Sequence, residues 1–188
     1  MADATRRGLL LGAAAMSLAA APQSAWDFTF TSIEEDELPL ARFRGRVLMV
    51  VNTASFCGFT YQYEALEKLH AAMSAKGLTV VGIPSGDFNQ ESKTNANQES
   101  KTNAEVKNFC DATFGVEFPM SGITKVTGRD AHPFYNWVKA QKNWEPSWNF
   151  NKVLIGRDGQ ILGCFGSSDE PGSVQITRVI ESALTAKA

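Results

Sequence analysis

The chain has 188 residues, of which 44% are hydrophobic and 20% charged, as in an ordinary soluble domain with a sizeable core. A formal net charge of −2 leaves no basic surface for nucleic acid and excludes that class of partner. Three cysteines are too few for a disulfide scaffold. Two histidines, with no paired Cys or His spacing, predict neither a metal site nor a bound cofactor.

The first 25 residues have the layout of an export signal. Adjacent arginines (Arg6-Arg7) precede an apolar run from Gly8 to Ala21, which is too short to span a bilayer comfortably. The arginine pair resembles a twin-arginine signal, so the pattern predicts a periplasmic or otherwise exported protein whose folded domain covers residues 26–188. The alternative is an uncleaved amphipathic or membrane-anchoring tail, and the cleavage point stays open between the end of the apolar run and Ala25.

The first half of the domain predicts a strand, then a strand–helix–strand unit. Residues Trp26–Ile33 alternate apolar and polar side chains, which is typical of an edge strand. The apolar run Arg46–Asn52 predicts a central strand, and apolar residues recur at helical spacing from Tyr63 to Met73. Because a helix connects the two runs, Leu78–Pro84 predicts a second buried strand parallel to the first.

The second half of the domain predicts two helices, a hairpin and a last helix. Apolar stripes indicate helices at Glu105–Phe114 and, with proline in its first turn, at Pro133–Ala140. Two strand-like runs flank Asp158-Gly159, a strong hairpin signal, and an amphipathic helix closes the chain. This order of elements predicts an α/β, thioredoxin-like fold with a central mixed sheet flanked by helices.

Cys57 lies in the stretch NTASFCGFTYQYEAL, directly after the first central strand and before a helix that begins near Tyr61. Reactive groups in α/β sheets collect at the carboxyl ends of strands. Thr60 is predicted to cap the helix, whose free N–H groups would then face the sulfur and stabilise a thiolate. Gly58 leaves the sulfur uncovered. The alternative is an inert buried cysteine.

Four stretches carry the most specific signal, in chain order VNTASFCGFTYQYEALEKL, GIPSGDFNQE, FGVEFPM and WNFNKVLIGRDGQ. They resemble, in the same order, four motifs of the glutathione peroxidase family in its cysteine form, and the resemblance covers about Phe28 to Leu184. The resemblance implies a thiol peroxidase that acts in the response to oxidative stress. Such an enzyme reduces hydrogen peroxide and organic or lipid hydroperoxides through a cysteine sulfenic acid.

The same resemblance implies that a glutamine, a tryptophan and an asparagine surround the reactive sulfur. Carried over by motif, they are Gln90, Trp148 and Asn149, beside Cys57. Their residue types suit the reaction, because uncharged N–H donors stabilise the negative charge that the leaving oxygen gains when a thiolate attacks a peroxide. Trp148 could alternatively be a core or surface aromatic, and Asn149 a turn residue.

An octapeptide occurs twice in tandem between Asn89 and Ala104, so two glutamines compete for the same role. Gln90 keeps the family's distance from the preceding strand, whereas Gln98 keeps the distance to the following helix. We predict that Gln90 works, with Gln98 as the alternative. The family needs one copy, and an insertion of this size costs only ~1 kcal/mol or less in closure entropy.

The resemblance also implies a role for a second thiol, because a sulfenic acid can be captured as a disulfide. Cys110 lies in the corresponding helix, about one residue out of the common register, so the alternatives are a resolving thiol and a plain helix-face cysteine. A resolving role implies a thioredoxin-like reductant, with glutathione as the second choice. We interpret Cys164 as a packing residue, and His70 and His132 as structural or exposed.

The segment between Trp137 and Trp148 is short, which the resemblance associates with a monomer. The chain also departs from the family at Phe56, where a lysine is usual, at Tyr61, where a proline is usual, and at Gly86-Asp87. Loss of the lysine removes a positive charge beside the reactive thiol, which affects rate more than reaction type.

Two other functions compete with the peroxidase. A periplasmic thiol–disulfide oxidoreductase fits the fold, but no C-x-x-C motif is present. A non-catalytic thioredoxin-fold redox sensor or binding protein also fits, with the duplicated loop as the cause of inactivity.

Overall fold

A four-stranded mixed sheet with helices on both faces organises the fold, in the computed structural model of the protein, which describes residues 22–88 and 102–186. The elements, in chain order, are β1 (Thr29–Thr31), β2 (Glu37–Pro39), β3 (Val47–Thr53), α1 (Gln62–Met73), β4 (Leu78–Pro84), α2 (Asn103–Phe114), α3 (Pro133–Lys142), β5 (Lys152–Ile155), β6 (Ile161–Phe165) and α4 (Val174–Thr185). Short 3-10 turns join several of them.

The central sheet has the strand order β4-β3-β5-β6. β3 runs parallel to β4, with Val47 opposite Leu78, and antiparallel to β5, with Val51 opposite Lys152. Every residue of β3 and β4 is buried, because helices or the N-terminal segment cover both faces. The sequence-based predictions of a central strand, a second buried strand parallel to it, a following hairpin and a thioredoxin-like mixed sheet are therefore confirmed.

The two faces of the sheet pack against different helices. Leu48 and Val50 face a core with α3, which we call the α3-side core. Met49 and Val51 face the opposite way, into a core with α1, α2 and α4, the α1-side core. Alternation of side chains along β3 produces this division, so each helix needs only one apolar stripe.

The N-terminal segment forms a small sheet of its own. The predicted edge strand at Trp26–Ile33 is shorter than expected and pairs as β1 with β2, not with the central sheet. Packing begins before that strand, because Ala25 is fully buried and its N–H donates to the Gly159 carbonyl at 2.9 Å. The predicted export signal falls largely on residues 1–21, which lie outside the described residues.

Helix α2 begins at the end of the duplicated octapeptide. The Thr102 hydroxyl accepts from the Glu105 N–H at 3.2 Å, and the Glu105 carboxylate accepts from the Thr102 N–H at 3.0 Å. This reciprocal capping satisfies two of the N–H groups that a helix start leaves without partners. The last residues of the second copy therefore build the start of a helix, which ends before Gly115 in a left-handed conformation.

Candidate active site

Cys57 lies in the loop that leaves the carboxyl end of β3, and its free thiol is partly exposed. The Thr60 hydroxyl holds this loop closed, since it accepts from the Cys57 N–H and donates to the Ala54 carbonyl, both at 3.0 Å. The prediction that Thr60 caps the helix is therefore wrong. α1 begins later, at Gln62, because the threonine hydroxyl is used inside the loop.

A backbone N–H group reaches the sulfur. The Phe59 N–H donates to the Cys57 Sγ at 3.5 Å, a distance suited to a sulfur acceptor. The N–H groups of Thr60, Gln62 and Tyr63 each donate to the carbonyl three residues earlier, so these three do not point freely at the sulfur. Gly58 is exposed, and a Cβ built at this position would meet no other atom within 4 Å. The space beside Gly58 is therefore open among the described residues, and the role of this glycine in uncovering the sulfur stays a prediction.

The segment with Trp148 and Asn149 is fixed to the same strand end. The Asn52 side-chain amide donates to the Trp148 carbonyl at 2.9 Å, and its oxygen accepts from the Asn151 N–H at 3.1 Å. The Asn52 carbonyl accepts from the Phe150 N–H at 2.6 Å. Four hydrogen-bonding groups of Asn52 are thus used, counting its own N–H on the Asn151 carbonyl at 3.2 Å.

The loop after β4 meets the same place. The Ser85 N–H donates to the Thr53 carbonyl at 3.0 Å, and the Phe88 ring lies 5.8 Å from the Trp148 ring, centroid to centroid. The Asp87 carboxylate accepts from the N–H groups of Val126 and Thr127, at 2.6 and 3.1 Å. This loop leads directly to the duplicated octapeptide, whose Gln90 and Gln98 lie outside the described residues.

The predicted tryptophan and asparagine differ in burial. Trp148 is half-buried, whereas Asn149 is fully buried, and the Asn149 carbonyl accepts from the Ser167 hydroxyl at 2.6 Å. Ser167 in turn accepts from the Asn151 side-chain amide at 2.8 Å. The described residues thus bring the loops of Cys57, Phe88 and Trp148 to one end of β3. The roles assigned to Trp148 and Asn149 stay predictions.

A buried lysine lies behind this region. The Lys152 Nζ donates to the Gln62 side-chain oxygen at 2.7 Å, to the Asp169 carbonyl at 2.6 Å and to the Gly166 carbonyl at 3.3 Å. Burial lowers the pKa of Lys152 to about 8, although the negative charges of Glu170 and Asp169 act to raise it. Sequence reasoning missed this residue and Asn52. A polar residue at the border of an apolar run, as in NKVLI and VVNT, is the one signal that the sequence offers.

The other two cysteines differ from Cys57 in exposure. Cys110 lies in α2 with no exposed surface and belongs to the α1-side core, against which Cys57 is also packed. Cys164 lies in β6 against the α3-side core, and burial raises the pKa of its thiol to about 11. Packing and low ionisation agree with the interpretation of Cys164 as a structural residue.

Both histidines have structural partners. The His132 Nδ1 accepts from the Phe134 N–H at 3.2 Å and thereby caps α3, while its ring stacks on Phe30 at 3.9 Å. The His70 Nδ1 accepts from the Val80 N–H at 3.3 Å. Burial lowers the pKa of both histidines. Within the described ranges, no cluster of three or more His, Cys, Asp or Glu side chains is placed to hold a metal ion.

The sheet is thioredoxin-like, and Cys57 follows its strand β3. The residue three positions after Cys57 is Thr60 and not a second cysteine. Fold and sequence together define a thioredoxin-fold thiol protein that is distinct from the C-x-x-C oxidoreductases. Residues 25–139 match the sequence model of the family described as glutathione peroxidase. The chain belongs to the glutathione peroxidase family. No helix in residues 22–88 and 102–186 is long and apolar enough to cross a membrane.

Three relatives illustrate the similarity. A glutathione peroxidase of Lactococcus lactis is 38% identical, over 80% of this chain and 94% of its own. A hydroperoxy fatty acid reductase of Synechocystis is 33% identical, over 83% of this chain and 94% of its own. The crystal structure of Trgpx in apo form superposes with a TM-score of 0.69 at 34% identity, over 89% of this chain and 99% of that chain.

Proposed function

We propose that this protein is a cysteine-dependent thiol peroxidase that reduces hydrogen peroxide and organic or lipid hydroperoxides. One observation carries the proposal. Cys57 has a free, partly exposed thiol in the loop after β3, and Asn52 fixes the Trp148 segment to the same end of that strand. The relatives named glutathione peroxidase and hydroperoxy fatty acid reductase support the same reaction.

In the first half-reaction the Cys57 thiolate attacks one peroxide oxygen. A sulfur–oxygen bond forms while the oxygen–oxygen bond breaks, so the sulfur loses two electrons and the peroxide gains them. The products are a Cys57 sulfenic acid and an alkoxide or hydroxide, which takes a proton to become alcohol or water. The indole N–H of Trp148 and the amide of Asn149 are the proposed donors to the leaving oxygen, where preformed uncharged donors lower the barrier.

In the second half-reaction we propose that Cys110 captures the sulfenic acid. The Cys110 thiol displaces water and forms a disulfide with Cys57, which a thioredoxin-like protein then reduces by two electrons. Because Cys110 has no exposed surface and Cys57 is partly exposed, an incoming thiol reaches the disulfide from the Cys57 side. Glutathione is the second candidate reductant.

The central test is peroxide-dependent oxidation of a reduced thioredoxin, compared among the native protein, Cys57→Ser and Cys164→Ser. We expect Cys57→Ser to abolish turnover and Cys164→Ser to preserve it, since Cys164 packs against the core away from the loop of Cys57. Turnover that survives Cys57→Ser rules the proposal out. Oxidation of the thioredoxin without peroxide would instead indicate a disulfide oxidoreductase. Consumption of a single equivalent of peroxide, with no turnover after it, would indicate a sensor.

The resolving role of Cys110 has a separate test. After one equivalent of peroxide, non-reducing mass mapping is expected to show a Cys57–Cys110 bridge. In Cys110→Ser the oxidation of Cys57 continues, but thioredoxin-dependent turnover stops. Absence of the bridge in the native protein contradicts the role.

We also propose that the protein is exported and acts as a monomer in the periplasm. The N-terminal arginine pair and apolar run support export, and the short segment before Trp148 supports a monomer. Cell fractionation of the full chain against Arg6→Lys combined with Arg7→Lys tests the first point. Light scattering of the purified protein tests the second. An unchanged distribution in the cell, or a stable oligomer, contradicts the respective proposal.

A further inference from the structure

Lys152, the first residue of β5, is a cationic side chain with no exposed surface. Its three N–H groups all have oxygen acceptors, namely the Gln62 side chain at 2.7 Å and the carbonyls of Asp169 at 2.6 Å and Gly166 at 3.3 Å. All three acceptors are uncharged. A buried ammonium held this way is fully hydrogen-bonded without forming an ion pair.

Gln62 links the ammonium to the helix that follows Cys57. Gln62 is the first residue of α1, is fully buried, and donates through Nε2 to the Ser167 carbonyl at 2.7 Å. Its neighbour Tyr61 donates from its hydroxyl to the Glu170 carboxylate at 2.7 Å. The start of α1 is therefore tied to the turn after β6 at two successive residues.

The Gly166–Asp169 turn links the ammonium to the Trp148 segment. The Gly166 N–H donates to the Asp169 carboxylate at 2.7 Å, which closes the turn, and Lys152 holds the carbonyls of both residues. Between them, the Ser167 hydroxyl donates to the Asn149 carbonyl at 2.6 Å and accepts from the Asn151 side chain at 2.8 Å. The turn therefore positions the backbone beside Asn149.

We propose that Lys152 is a positioning residue for the peroxide reaction. Its ammonium fixes the start of α1, which sets the position of Cys57, relative to the turn that holds Asn149. Lys152 itself meets neither the sulfur nor the peroxide. The inference rests on the proposed peroxidase function. Lys152 lies within the stretch WNFNKVLIGRDGQ, but the family resemblance gives it no role in the reaction.

A positioning role differs measurably from a structural one. Lys152→Met leaves the oxygens of Gln62, Gly166 and Asp169 without their donor, so it is expected to lower stability as well as to disturb the alignment. A reaction-specific readout is therefore needed beside the unfolding temperature. Attack on peroxide needs donors placed at the leaving oxygen, whereas alkylation by iodoacetamide needs only an accessible, ionised sulfur. The two reactions of Cys57 therefore separate alignment from access.

The experiment measures both rates on Cys57 in the full chain, by mass spectrometry of its peptide, with unfolding temperature as a third readout. In Lys152→Met we expect the rate with hydrogen peroxide to fall by ~10- to 100-fold, as for a displacement of about 1 Å at a reacting centre. We expect the iodoacetamide rate to stay within about threefold, since the thiol keeps its exposure. Lys68→Met is the matched control, because Lys68 lies on α1 in an exposed ion pair with Glu64, and both of its rates should equal the native ones.

An unchanged peroxide rate in Lys152→Met overturns the inference, as does an equal fall of both rates. If Lys152→Met does not fold, Gln62→Met takes its place, with the same selective loss expected and the same two outcomes against it. A native Cys57 that reacts with iodoacetamide and not with peroxide would contradict the proposed function itself. Failure of the proposed function is thus seen in the native protein, whereas failure of the inference is seen as a native peroxide rate in the Lys152 or Gln62 variant.

Discussion

The Asn52 side-chain amide donates to the Trp148 carbonyl at 2.9 Å and so joins residues that lie 96 positions apart in the chain. Asn52 is the residue before the last one of β3, and it is 1% exposed. The cysteine loop leaves the same strand end, and Cys57 lies five residues after Asn52. One buried amide therefore sets the distance between the strand that presents the sulfur and the segment that presents the indole.

Asn52→Ala is expected to slow the reaction of Cys57 with hydrogen peroxide by ~10- to 100-fold, because the Trp148 segment loses the two hydrogen bonds of the Asn52 side chain. The same change leaves buried backbone groups without partners and should lower the free energy of unfolding by about 1–3 kcal/mol. Rapid-mixing kinetics and urea unfolding give the two numbers.

Asn136→Ala is the matched control for this change. Asn136 also donates from its amide to a carbonyl, that of Ala131 at 2.9 Å, but it lies on α3, which packs against the α3-side core, whereas Cys57 packs against the α1-side core. We expect some loss of stability and a native rate. If Asn52→Ala reacts at the native rate, the anchoring role is wrong.

The contrast between Asn52 and the strand that contains it shows what the sequence can and cannot predict. The apolar run of β3 predicts a central strand because periodicity is a local property, and the helices follow by the same argument. The Asn52–Trp148 bond depends on two segments that meet only after folding, so no local pattern indicates it. Lys152 would be read as a surface residue from its type alone, yet it is fully buried.

The wrong prediction at Thr60 has a related cause. Threonine before a helix favours an N-cap, and the sequence gives no sign that the hydroxyl is used elsewhere. In the structure Thr60 bonds to Cys57 and Ala54, which lie three and six residues earlier. A competing partner within the loop decided the outcome, and it costs the helix its predicted cap.

Because His132 is partly buried, we expect the free energy of unfolding to depend on pH. Burial lowers the pKa of this histidine below its ordinary value of 6.5, so the unfolded chain binds a proton more readily than the folded one. Its contribution is therefore complete above about pH 6.5 and is lost as the pH falls towards the folded pKa, with a slope of at most about 1.4 kcal/mol per pH unit. Urea unfolding between pH 8 and pH 5 measures this slope.

His132→Asn separates capping from titration, because asparagine also accepts at a helix start and does not titrate. We expect lower stability at pH 8, since the stacking on Phe30 is lost, and a shallower dependence on pH below 6.5. The remaining slope comes partly from His70, whose pKa burial also lowers. A slope equal to that of the native protein would show that His132 does not titrate with unfolding.

Ala25 predicts where the folded protein must begin. Its N–H bonds to Gly159, and the N–H groups of Gln23 and Ser24 donate to the Asp27 carboxylate at 2.8 and 3.1 Å. A chain that starts at Trp26 loses these bonds, so its free energy of unfolding should be about 1–2 kcal/mol lower than that of a chain that starts at Pro22. N-terminal sequencing of the protein recovered from cells is expected to find a start at or before Gln23. A mature start at Trp26 with undiminished stability contradicts this prediction.

The duplicated octapeptide sets the last prediction, because removing either copy yields the same chain and a deletion cannot tell Gln90 from Gln98. Single substitutions can. We expect Gln90→Ala to slow the reaction of Cys57 with peroxide by ~100-fold, as for the loss of one preformed donor, and Gln98→Ala to leave it unchanged. The reverse result would assign the donor to the second copy, whose last residues already cap α2 through Thr102. Equal, partial losses in both variants would mean that the two glutamines exchange at the site, because each copy carries the same residues around its glutamine.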